Sequence, residues 1–313
     1  MLERFAYHLA TAALTILDGP FWVYNKLFHQ APIRFPDSDT WTDEEIIRVV
    51  ESAPYLEGSD DKLVQISEDT VVILGRDWDS TTSEALIIDL VRKQTRVAVP
   101  HMRRAIHHVH PEGNGLIVMD LARDNQQLRM AWPSLFLWGK LTVILTMRLY
   151  LRQLRCVQYS SYNHIPGPLG ATPLPCNGLQ FGFDEKGPFP TISALETYFR
   201  QQHANAEYSA SRGWSPSPNC KPLDHSAFIS LVFTYNDLNM RNLLLDKDGV
   251  LWVVDWGWAG LYPPWFEFLG MRYASQKDKN PESWQECIKY MAEPAVEVEE
   301  WMKRIGYDYI DLP

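Results

Sequence analysis

Apolar and polar positions alternate in short blocks over the first third of the chain and settle into helical spacing afterwards. Leu63 to Ile66 and Val71 to Leu74 are β-prone runs divided by the polar stretch Ser67-Glu68-Asp69, which reads as a hairpin. Thr82 to Gln94 carries apolar residues at helical spacing, with Glu84 in its first turn. Met102 to His107 and Leu116 to Asp120 read as two more strands around the turn Pro111-Glu112-Gly113-Asn114-Gly115. This β, β, α, β, β order predicts a small antiparallel lobe with one helix. Leu121 to Gln127 follows as a hinge, and Leu135 to Val157 is the longest helical-period segment. Tyr159 to Pro190 is rich in Pro and Gly and reads as a long covering loop. Helices are predicted at 192–202, 222–230, 264–274, 283–291 and 294–303.

The N-terminal region divides in two. Leu9 to Leu17 is apolar and too short to span a bilayer; Asp18-Gly19-Pro20 interrupts it. It reads as an amphipathic helix packed on the body. The competing reading is peripheral membrane contact through Phe21, Trp22 and Phe28. Residues 30–62 are polar and contain Pro32, Pro36 and Pro54, and Thr42-Asp43-Glu44-Glu45 marks a helix start, Thr as the cap and acids at the positive end of the dipole.

At 313 residues, 46% hydrophobic and 22% charged, the composition is that of a globular protein long enough for two lobes sharing a cleft. The net charge of −10 comes without a Lys/Arg patch interleaved with aromatics, which argues against nucleic acid as a partner. Cys156, Cys176, Cys220 and Cys287 have no paired spacing, so a cytoplasmic, reducing setting is expected rather than a disulfide framework or a zinc site. Among twelve Trp, those at 132, 138, 252, 256 and 258 fall in segments that read as core or cleft wall. His107, His108 and His110 read as a solvated strand end, since no carboxylate or Cys is placed with them.

The chemistry concentrates in Phe233 to Gly260. Leu243–Leu245 and Val250–Val254 flank the turn Asp246-Lys247-Asp248-Gly249, so Asn242 enters one strand of a hairpin and Asp255 leaves the other. Antiparallel pairing brings those two residues together, and Asp237 lies one loop earlier. Two carboxylates and an amide at one open edge can hold Mg²⁺ through oxygen and leave one carboxylate as a base.

The phrase Tyr235-Asn236-Asp237 to Asn242, then Asp255-Trp256-Gly257-Trp258-Ala259-Gly260, resembles the catalytic loop and the Asp-Trp motif of the aminoglycoside phosphotransferase and choline kinase superfamily, most closely its fungal branch. Tyr262 to Glu267, Glu84-Ala85, Val91 to Thr95, Gly115 to Asp120 and Ile165 to Gly170 are similar to that family in the same order, over roughly residues 62–292. The resemblance implies an α+β, bilobal, protein-kinase-like fold: a small antiparallel β lobe with one helix and a larger, mainly helical lobe. It implies an N-terminal extension over 1–61, a nucleotide-side lobe over 62–121 and a catalytic and acceptor lobe over 122–313. It also implies an ATP- and Mg²⁺-dependent transfer of phosphate to a hydroxyl of a small molecule, with Asp237 as base and with Asn242 and Asp255 on the metal.

Two departures from the family phrase stand out. Ile73 occupies the position of the strand Lys that pairs with the phosphates, which leaves Glu84 without its usual partner; Arg76, three residues on, is the alternative cation. Tyr235 and Asn236 replace His and Gly. These departures keep a second function open, a kinase fold repurposed for acid–base chemistry or for ligand binding. The partner expected in either case is a small molecule, with no stable membrane insertion.

Overall fold

The computed structural model describes residues 2–28, 41–56, 63–109, 113–122, 124–159, 165–182 and 184–306. A long helix, α1 (Leu2–Phe28), opens the chain. The predicted break at Asp18-Gly19-Pro20 is absent. The helix runs through Pro20, and its Asp18 carboxylate is buried against Arg148 (3.0 Å) and Arg152, which docks α1 on the large lobe. The short helix α2 (Asp43–Val50) starts where predicted, closed by a capping box between Thr42 and Glu45.

Strands β1 (Leu63–Gln65) and β2 (Thr70–Gly75) form the predicted hairpin. Helix α3 (Trp78–Gln94) starts a turn earlier than expected, because Asp77 caps it by accepting from the Ser80 N–H. Glu84 therefore lies in its second turn. Then come β3 (Met102–Ile106) and β4 (Gly115–Asp120), which complete an antiparallel sheet of order β1-β2-β4-β3. Alternation divides the sheet into two faces. Val64, Val72, Leu74, Leu116 and Val118 pack with Ile46 and Val50 of α2. Val71, Ile117 and Met119 turn the other way, toward α3 and the large lobe.

The hinge is shorter than predicted, because β5 (Asn125–Gln127) already belongs to the large-lobe sheet. Helices α4 (Leu128–Ala131) and α5 (Leu137–Leu154) follow, the second of them buried along Val143–Leu154 and crossed by α1. Trp138 is a correction: the first turn of α5 projects from the body and exposes it, whereas Trp132, Trp256 and Trp284 are core. Among its described residues, the loop predicted over Tyr159–Pro190 carries one 3₁₀ turn and leads to α6 (Ile192–Ser211), longer than predicted; residues 160–164 and 183 lie outside the described residues. The helix expected over 222–230 is only a 3₁₀ turn at His225–Phe228.

Strand β6 (Val232–Thr234) precedes the catalytic-type loop. The hairpin is β7 (Leu243–Asp246) and β8 (Leu251–Val253), and β9 (Gly260–Tyr262) pairs back onto β6. The remainder is helical: α7 (Trp265–Lys277), α8 (Glu282–Gln285), α9 (Ile288–Met291) and α10 (Val296–Arg304). One apolar core runs through both lobes. Among the described residues, no helix is long and apolar enough to cross a membrane.

Candidate active site

The hairpin closes as its sequence predicts. Asp246 sets the turn, its carboxylate accepting from the Asp248 N–H (2.9 Å), the Val250 N–H (2.8 Å) and the Trp252 indole (2.9 Å), while Gly249 takes a φ of 80°. Register pairs Leu243 with Val253, and the Val254 N–H donates to the Asn242 carbonyl at 3.0 Å. Asn242 and Asp255 are thereby neighbours at the open end. Asp255 has φ 63°, a left-handed conformation that Asp tolerates better than most residues, and its side chain is exposed.

Asp237 lies beside them and is buried. The Asn242 amide donates to the Asp237 carboxylate at 2.9 Å and to its carbonyl at 3.1 Å. The three residues chosen from the sequence are brought together.

The sequence reading missed the cation. Arg241 grips both oxygens of Asp237 at 2.8 and 2.7 Å and reaches Asp278 at 2.6 Å. One guanidinium therefore faces two carboxylates, with Asp255 nearby. Burial pushes the Asp237 carboxyl up to about 7; Arg241 opposes that rise and the charge of Asp255 adds to it. The i,i+4 spacing of Asp237 and Arg241 was the available signal. Asn239 also donates to Asp278 and accepts from the Asn280 amide (2.9 Å), so the loop is tied to the end of α7 by a buried polar network.

The loop's entry is braced from α7 too. Glu267, buried, accepts from the N–H groups of Tyr235 (2.9 Å) and Asn236 (3.3 Å), and burial raises its carboxyl above the usual range. Tyr235 takes over a bracing role: its hydroxyl donates to the Val254 carbonyl, and its ring meets Trp256 edge-on with centroids 4.7 Å apart. Asn236 sits at φ 71°, where the family phrase has Gly, and its side-chain amide donates to the Asn177 carbonyl at 2.8 Å. Those bonds fix the backbone just before Asp237 and just before Asp255.

The small-lobe side differs from the expected phosphate grip. Ile73 shares its strand face with Val71 and packs against the core beneath α3, so an aliphatic side chain stands where a cation was sought. Glu84 instead accepts from the Trp256 N–H at 3.1 Å, which docks α3 onto the Asp-Trp motif. Arg76 follows the end of β2 and pairs with Glu185 of the long loop and with Asp77 (3.3 Å), not with Glu84. Asn177 also donates to Glu185 (3.0 Å), so Arg76 clamps the loop that reaches Asn236. The acidic turn Ser67-Glu68-Asp69 lies at the hinge end of the sheet, because Thr70 pairs with Asp120 and Leu121 donates to the Asp69 carbonyl. Its charge therefore does not face the opposite end, where Gly75 pairs with Gly115. His107 packs against Trp78 and His108 approaches Glu51 at 3.4 Å; His110 lies outside the described residues.

No protein-family model matches the chain, and no curated protein matches it. Solved structures do. The gentamicin complex of APH(2")-IIa is 13% identical with a TM-score of 0.52, over 84% of this chain and 85% of that one. A streptomycin–ATP ternary complex of the same APH(2")-IIa (12% identity, TM-score 0.48, 84% and 86%) and the choline kinase LicA from Streptococcus pneumoniae (12%, 0.42, 84% and 87%) are more distant. The chain thus shares the bilobal, kinase-like α+β fold of the aminoglycoside phosphotransferase APH(2")-IIa.

Proposed function

We propose that the protein is an ATP- and Mg²⁺-dependent phosphotransferase acting on a hydroxyl of a small molecule, with residues 62–121 as the nucleotide-side lobe and 122–313 as the acceptor lobe. One observation carries the reading: a buried carboxylate, Asp237, is held by Asn242 next to Asp255 at the open end of a hairpin. A base that titrates near neutrality is suited to take a proton from an acceptor hydroxyl. The donor set fits Mg²⁺. Asn242 and Asp255 offer hard oxygens, and a cation that keeps several waters and phosphate oxygens needs only one or two protein ligands. When bound, the metal supplies positive charge against that of the phosphates.

Asp237 orients the acceptor hydroxyl and receives its proton. Arg241 holds the Asp237 carboxylate in one orientation and balances part of its charge once ionised. Glu84 and Tyr235 fix the backbone that carries Asp255. The solved neighbour named for its gentamicin complex supports a hydroxylated small molecule as the acceptor class. Four free thiols support a reducing, cytoplasmic setting. Ile73 favours a second reading, a repurposed fold that binds a metabolite without nucleotide, because an aliphatic group cannot pair with a phosphate.

Calorimetric titration with Mg·ATP decides between the two. Binding that is lost in Asp255→Ala, with turnover lost but affinity kept in Asp237→Asn, is the outcome the phosphotransferase requires. No binding at millimolar ATP sinks it and leaves the second reading.

A further inference from the structure

The outer face of α1 is unusual for a surface helix. Between residues 10 and 23 the sole charged residue is Asp18, and it points inward to Arg148 and Arg152. The exposed positions include Ile16, Leu17 and Val23, and the hydroxyl of Thr15 is turned back onto the Thr11 carbonyl. The helix that α1 crosses carries a second apolar group. Phe136, Leu137 and Trp138, at the start of α5, are 88%, 84% and 73% exposed. Three consecutive large apolar side chains left in water signal a contact surface.

Charge identifies what the contact is. The chain carries −10 overall, yet no Asp or Glu occurs between Asp124 and Asp184. Of its cations, Arg129 and Lys140 flank the exposed group in sequence and Arg152 is half-exposed beside Asp18, whereas Arg148 and Arg155 are turned inward, onto Asp18 and onto the Pro264 carbonyl. Asp18 offsets part of this, and Glu286, just after α8, lies with Lys140 and Lys289 around Cys287. A cationic, apolar side on an acidic protein is complementary to an anionic lipid surface, with Trp and Phe suited to the headgroup boundary. No described helix is long and apolar enough to cross the bilayer, so the contact is with its surface.

We propose that the α1–α5 face of this protein rests on an anionic membrane surface, seated by Phe136, Leu137 and Trp138. The occupant is lipid and not a second copy, since two like-charged faces repel. The full chain is sedimented with phosphatidylcholine vesicles and with vesicles that also contain phosphatidylserine. Binding to the anionic vesicles is expected, weakened at least about tenfold by the triple change Phe136→Ser, Leu137→Ser and Trp138→Ser. Arg129→Glu with Lys140→Glu is expected to weaken binding to the anionic vesicles by about tenfold. These side chains are on the surface, so the thermal midpoint should stay in place and separate lost binding from lost folding. The proposal is overturned if the chain sediments with neither vesicle. It is equally overturned if the triple change leaves binding intact, or if light scattering shows a dimer that the triple change dissolves.

Discussion

Replacing Asp237 by Asn tests the electrostatics of the site through stability alone, with no need for a known acceptor. In the folded chain Asp237 is buried, and its carboxyl titrates at about 7, against 3.8 as the ordinary value. Between those two pH values the folded state holds a proton that the unfolded state has released. The stability from that proton is therefore complete below the unfolded value and is lost as pH rises through the folded one. Each pH unit in this window is worth about 1.4 kcal/mol. Over the roughly two units between pH 5 and 7, where the folded group passes to half-titration, the wild type loses about 2 kcal/mol that an Asn at this position does not lose. Urea unfolding of both proteins at stepped pH gives the difference directly, and all other titrating groups cancel to the extent that they are independent of the site. Variant minus wild type should climb from pH 5 to 7 and flatten above. A difference that is flat throughout, or one that falls with pH, would mean that Arg241 overcomes burial, and the claim of a base poised near neutrality would be wrong.

Two further outcomes follow from the bracing geometry. Tyr235→Phe removes the hydroxyl that bonds the Val254 carbonyl beside Asp255; a loss of about 1 kcal/mol in chemical unfolding is expected, and no loss would show that the bond does not hold the hairpin end. Arg76→Ala should leave Mg·ATP affinity unchanged while hydrogen exchange speeds up in the 165–190 loop, because Arg76 is engaged with Glu185 in an exposed pair worth under about 1 kcal/mol; a strong loss of nucleotide affinity would make Arg76 the replacement for the missing strand Lys.

What could be read in advance was local. The 243–254 hairpin is written in alternation and turn chemistry within a dozen residues, so the meeting of Asn242 and Asp255 followed from pairing alone, and the Thr42 cap and the small-lobe strands were legible for the same reason. The rest depended on partners distant in sequence. Glu267 and Asp278 brace the catalytic-type loop from 31 to 39 residues away, and Arg76 reaches Glu185 across 109. No periodicity encodes such contacts. Helix α1 is docked on the body through Asp18, which is captured by guanidiniums more than a hundred residues on. Trp138 falls in a segment that reads as core or cleft wall, but burial is decided by what packs against a side chain, and the start of α5 is left exposed. The sequence by itself determined which groups could do chemistry. Tertiary packing decided which carboxylate is dry, which cation faces it and which apolar face is left in water, because desolvation and charge pairing exist only once distant segments meet.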